Sequence, residues 1–205
     1  MAIAAIWVFA GGCQAKEQST NEAKANEVIA RTRTTRATFA VYNWHRIWRQ
    51  GLPPTEEWTA EFHSGVFDRV ETPRDRVVAN CDSKTGSALA LATGKTTSGP
   101  QVADALCGID ANAAILEAKW LGMVDTPCGR ADRVQISDRD FVRTYDIGPE
   151  GMIIQTSYLH NTPQRSPALI DLAATCTFTL PTRQMFDDAS LQTSYVPDQR
   201  RRAPS

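Results

Sequence analysis

The chain has 205 residues, 42% of them hydrophobic, with 22 Lys plus Arg set against 23 Asp plus Glu. That size and balance fit one domain around one substantial core, and a formal net charge of -1 removes any general electrostatic reason to expect a nucleic-acid partner. No apolar run reaches the roughly 18 residues of an ordinary membrane-spanning helix.

The first ten residues, MAIAAIWVFA, are apolar. As a helix they would span about 15 Å, roughly half a hydrocarbon core, which suits the hydrophobic segment of an export signal. The run ends in Ala10-Gly11-Gly12-Cys13, and the chain then turns polar through QAKEQSTNEAKANE. Those four residues resemble the lipobox of bacterial lipoproteins, in which small residues precede a cysteine that is alkylated by a lipid donor and becomes the mature N-terminus. Two positions depart from the family: residues 1–12 hold no Lys or Arg, and Ala10 stands where leucine is commoner. The resemblance implies a signal segment over 1–12, a lipid on Cys13, a polar tether over 13–22 and a membrane anchor. Gln14 follows the cysteine where an aspartate would signal retention, which implies the periplasmic face of the outer membrane.

From Asn21 to Gln50 there is neither Gly nor Pro, and apolar residues fall mostly three or four apart, which predicts a long helix ended by Gly51 and Pro53-Pro54. Thr55 with Glu56 and Glu57 reads as the start of a short helix to about Phe62. Alternation on both sides of Thr72-Pro73-Arg74-Asp75 predicts a hairpin, and SALALA at 87–92 a third strand. Ser98-Gly99-Pro100 opens a helix through Leu106, and Asp110 opens another through Leu121, giving a central helical pair. The segments DFVRTYDI and GMIIQTSYL read as a second hairpin turning at Gly148-Pro149-Glu150. A short helix from Ser166-Pro167 to Ala174 and a strand over 175–180 complete the order, followed by a polar tail over 182–205. The expected class is α+β: an antiparallel sheet with a long N-terminal helix and a central helical pair packed on one face, forming a single domain over 23–181. Strands flanking a helical pair resemble PAS-like sensor domains and half-barrel lipoprotein carriers such as LolA at the level of fold, and no motif assigns either family.

With Cys13 lipidated, Cys81, Cys107, Cys128 and Cys176 remain, an even number that reads as two disulfides in an exported chain. Three pairings are open. Cys107 with Cys128 would staple the ends of the predicted second helix, leaving Cys81 with Cys176. None of the four has a cysteine neighbour close enough for a zinc site, so no metal is expected. No nucleotide, zinc-hydrolase or serine-hydrolase signature occurs, and no cofactor is expected. His63 beside Glu61 and Ser64 invites an acid-base reading, but residues two apart on a helix face different ways. Asp138, Asp140 and Asp146 near Arg139 and Arg143 lack the ligand spacing of a calcium loop. The bulky residues Trp44, Trp48, Trp58, Phe62 and Trp120 are candidates to line an apolar cavity between helices and sheet. The expected role is therefore noncatalytic binding of an apolar ligand or an envelope protein. A small envelope hydrolase and a PAS-like sensory module are the alternatives.

Overall fold

The computed structural model describes residues 11–109 and 115–203, with side chains from residue 20 onward. Residues 1–10 of the expected signal segment lie outside the described residues, as does the side chain of Cys13. Helix α1 (Gly11–Thr34) presents Ala25, Val28, Ile29 and Thr32 at helical spacing, and all four are buried. It stops within a threonine-rich run where Thr32 Oγ1 donates to Ile29 O at 2.7 Å and Thr34 Oγ1 to Ala30 O at 3.3 Å, side-chain bonds that compete with helix continuation.

Beyond Thr34 the chain is mostly strand. β1 (Thr38–Ile47), β2 (Thr55–Ser64), β3 (Phe67–Glu71), β4 (Asp75–Asn80), β5 (Thr85–Ala90) and β6 (Lys95–Ser98) form one antiparallel meander. After α2 (Pro100–Leu106), a second meander runs through β7 (Glu117–Thr126), β8 (Gly129–Ser137), β9 (Phe141–Ile147), β10 (Ile153–His160) and β11 (Pro167–Thr177). β1 pairs with β11 and joins the two into a single eleven-stranded sheet of order β6-β5-β4-β3-β2-β1-β11-β10-β9-β8-β7.

The expected α+β class is overturned by this sheet, which dominates the fold, with two helices among the described residues. The helix predicted over 21–50 ends at Thr34, and its second half is β1, where Phe39, Ala40 and Val41 are all buried because both faces of the strand are covered. The segments predicted helical over 55–62 and 166–174 lie in β2 and β11. The second member of the helical pair is likewise absent from its described part: 110–114 lie outside the described residues, and Glu117 onward is β7. The hairpin at Thr72 to Asp75 is present, with Thr72 Oγ1 accepting the amides of Arg74 and Asp75 at 3.1 and 2.9 Å.

The sheet curls. Phe39 and Val41 of β1 share a cluster with Ala131 of β8, several strands removed in the hydrogen-bonding order, and only a curled sheet brings them together. The Cys128–Cys176 disulfide joins the β7–β8 turn to β11 across the same cluster, and Cys81–Cys107 ties the end of β4 to the end of α2. Neither matches the pairing expected from the sequence, because Cys128 caps a hairpin turn where a helix end was predicted. The inner face is covered by α1 against β7 and β8 and by α2 against β3, β4 and β5. Two glycines let α1 dock closely. Gly151 (φ 82°) and Gly108 (φ 77°) lie so near its last turn that a Cβ would fall 2.5 Å from Arg31 O and 2.7 Å from Thr32 O.

The outer face of β1 to β4 is covered by the C-terminal segment, which winds through three 3₁₀ turns (Arg183–Phe186, Asp188–Gln192, Asp198–Arg201) and buries Met185, Phe186, Leu191 and Val196. A polar tail was expected here; the buried residues are four apolar side chains spaced widely among polar ones. A fully buried ion pair latches it. Arg69 Nε donates to Glu71 Oε1 at 2.8 Å, and the rest of the guanidinium donates to Met185 O, Ser190 Oγ and Thr193 O, each at 2.7 Å. Glu71 in turn accepts the Ser194 hydroxyl at 2.5 Å and the Tyr195 amide at 3.0 Å. Removing one partner of such a pair strands the other charge in the interior. Arg69→Met is therefore expected to cost about 3–5 kcal/mol in denaturant unfolding and to open residues 182–203 to limited proteolysis. A loss below about 1 kcal/mol with unchanged proteolysis would show that the latch is not what holds the segment.

Candidate ligand-binding cavity

The inner face of the curled sheet encloses a cavity of about 480 Å³. Its rim is made by the last turn of α1, the end of α2 with Gly108 and Ile109, and the β9–β10 turn at Gly151. Phe39, Val70, Ile136 and Ile153 supply apolar wall, and Tyr145 and Tyr158, whose hydroxyls meet at 3.4 Å, close the far side. A recess of about 200 Å³ shares Glu61, Ile153 and Thr156 with it and adds Asn43, His45 and Asp171.

Period-two geometry puts the polar residues there. In β2 the sequence Trp58-Thr59-Ala60-Glu61-Phe62-His63 sends Trp58, Ala60 and Phe62 under the C-terminal segment and Thr59, Glu61 and His63 inward. In β3, Asp68 and Val70 face the cavity, while Arg69 and Glu71 form the latch on the other side. The sequence thus brings Glu61, His63 and Asp68 together, but on two paired strands, with His63 opposite Asp68 in register.

His63 lies flat against Phe39, with ring centroids 5.1 Å apart, and its Nε2 donates to Gly65 O at 3.1 Å. That bond leaves Nδ1 to face Asp68 Oδ2 at 4.0 Å. The Asp68 side chain is 3% exposed, and its Oδ1 has no hydrogen-bond partner. Burial raises the Asp68 pKa, against the lowering influence of His63. Glu61 lines the cavity, and burial together with the neighbouring Asp68 charge holds its carboxyl well above the ordinary range. Among the described residues its carboxyl makes no hydrogen bond and no ion pair.

In the recess, Asp171 accepts Asn43 Nδ2 at 2.7 Å and the Thr156 amide at 2.6 Å, and its Oδ1 lies 3.7 Å from His45 Nδ1. Burial pushes its pKa up to about 6, in spite of these donors. Burial lowers that of His45. Among the described residues no group of three or more His, Cys, Asp or Glu side chains converges as metal ligands.

The aromatic residues proposed as lining lie elsewhere. Trp44, Trp58 and Phe62 face outward: Trp44 Nε1 donates to Glu56 at 3.0 Å, Arg201 lies over the Trp58 ring, and Phe62 is fully buried beside Met185 and Phe186. Trp48 lies just past the end of β1 and bonds Ala168 O through its amide at 2.9 Å. Trp120 packs beside α1 and donates to Asp132 at 2.9 Å, the carboxylate that also holds Arg31 at 2.6 Å. Two of the three aspartates considered for calcium serve as structural partners, Asp138 capping the turn before β9 and pairing with Arg143 at 2.5 Å, Asp146 binding Arg133 through two bonds of 2.7 Å, while Asp140 is exposed. Strict alternation in β2 was the signal that could have found the cavity residues, since a polar residue at every second position is a strand period and not a helical one.

No family model matches the chain, and no curated protein does. Solved structures show some likeness of shape. An uncharacterized conserved protein from Thermus thermophilus aligns at TM-score 0.48 with 12% identity, over 90% of this chain and 98% of that one. A LolA superfamily protein from Nitrosomonas europaea aligns at 0.40 with 7% identity, over 82% and 99%. A DUF1329 family protein from Desulfovibrio piger aligns at 0.38 with 7% identity, over 84% and 99%.

Asp171 links the recess to stability. Its folded-state pKa of about 6 lies above the roughly 3.9 of an unfolded aspartate, so the folded chain binds this proton more tightly. The contribution of Asp171 to stability should therefore fall as pH rises from about 4 to about 6 and stay level above. Asp171→Asn, which keeps an acceptor for the Thr156 amide, is expected to shrink that fall by roughly 2–3 kcal/mol in urea unfolding followed across pH. Parallel wild-type and variant profiles would remove Asp171 as the source.

Proposed function

We propose that this chain is an envelope lipoprotein, anchored through Cys13 at the periplasmic face of the outer membrane, whose domain holds a small amphipathic ligand inside its curled sheet without transforming it. The cavity of about 480 Å³ carries the binding part of this reading. It falls within the roughly 300–1,000 Å³ of small-ligand sites and combines apolar walls with a few convergent polar groups. The two disulfides support an oxidising compartment. The lipid would hold the domain near its membrane partners and raise its effective concentration there.

Two measurements test the two halves. Intact-mass spectrometry of the membrane fraction should find a mature N-terminus at Cys13 with a diacylglyceryl mass, absent in Cys13→Ser; an unmodified full-length chain would overturn the anchor. The neutral fluorophore N-phenyl-1-naphthylamine should bind the purified domain saturably at one site per chain. Val70→Trp, which fills the cavity from β3, should abolish that binding with the unfolding midpoint little changed. Absence of saturable binding to the wild type would overturn the cavity reading.

A further inference from the structure

The charges lining the cavity are not balanced. Three arginines line it, but each is engaged: Arg36 pairs with Asp82 at 2.7 Å, Arg143 with Asp138 at 2.5 Å, and Arg33 Nε donates to Ile109 O. The acids on the opposite wall have no arginine or lysine partner among the described residues, and Asp68 has His63 at 4.0 Å. Asp68 Oδ1 is buried without a donor, and the Glu61 carboxyl makes no hydrogen bond among the described residues. In the recess that Glu61 also lines, Asn43 directs Nδ2 at Ile154 O and Asp171 and leaves Oδ1 buried and unpaired. A buried acceptor without a donor is costly, and a bound group that brings donors to the wall beside Glu61 would relieve Asp68 Oδ1.

We propose that the wall formed by Glu61 and Asp68 recognises a primary ammonium group on the bound amphiphile. An alcohol offers one donor and no charge, a carboxylate none, whereas an ammonium offers three donors and the positive charge that the wall lacks. Burial raises both carboxyls and the Asp68 charge raises that of Glu61 further, and a bound cation would draw them back toward ionisation. The ammonium site rests on the cavity being a ligand site and narrows what that ligand is.

The test is displacement of N-phenyl-1-naphthylamine from the wild-type domain by dodecylamine, dodecanol and dodecanoate. Dodecylamine should displace the fluorophore at a concentration at least about tenfold below dodecanol, the expected worth of charge-assisted bonds to a buried acid. Glu61→Gln, alone and with Asp68→Asn, should bring the amine down to the level of the alcohol while leaving dodecanol unchanged. Equal amine and alcohol affinities in the wild type would overturn the ammonium site and leave the cavity reading intact. Tightest binding of dodecanoate would transfer recognition to the arginines. If none of the three displaces the fluorophore, the cavity reading falls and the ammonium site falls with it.

Discussion

A single open antiparallel sheet acquires an interior only by curling, and every feature of the site depends on how this sheet is made to curl. The first and last strands, β1 and β11, pair at its centre, so two local meanders become one surface wide enough to bend over itself. The bend is fastened by the cluster of Phe39, Val41 and Ala131 and by the Cys128–Cys176 bridge, which connect elements that share no strand pairing. α1 and α2 then cover much of the inner face and leave uncovered the volume in which Glu61, His63 and Asp68 stand.

The central strands consequently have two interiors. On β3, four consecutive residues serve them in turn: Asp68 and Val70 face the cavity, and Arg69 and Glu71 face the C-terminal segment. On the outer side the charges satisfy one another, with carbonyls and hydroxyls completing the set. On the inner side Asp68 faces His63 at 4.0 Å, and its Oδ1 has no hydrogen-bond partner among the described residues. Two buried environments within four residues thus differ in whether polar demand is met, and the unmet one faces a space large enough for a ligand.

The same contrast divides the cavity itself. Arg33, Arg36 and Arg143 reach it from α1, the α1–β1 connection and β9, yet each spends its donors on neighbouring protein groups. Residue type alone would describe the lining as mixed in charge. With those cations engaged, the acceptor without a donor that faces the cavity is Asp68 Oδ1, beside the Glu61 carboxyl.

Sequence pattern by itself determined the local turns and the start of α2: Thr72 accepting two amides at a proline turn, the Gly148 hairpin, and Pro100 opening a helix. Those features depend on residues a few positions apart, so short-range chemistry suffices. β1 was not legible as a strand because its covering on both faces erases the apolar and polar alternation on which a strand reading depends. In β2 the alternation was complete, yet its meaning was inverted: polar residues at every second position ordinarily mark the solvent side, and here they mark the interior. The disulfide partners, the burial of the C-terminal segment and the isolation of Glu61 and Asp68 were decided by the curl, because each depends on which distant segment lies opposite. No local pattern in the chain encodes that distance.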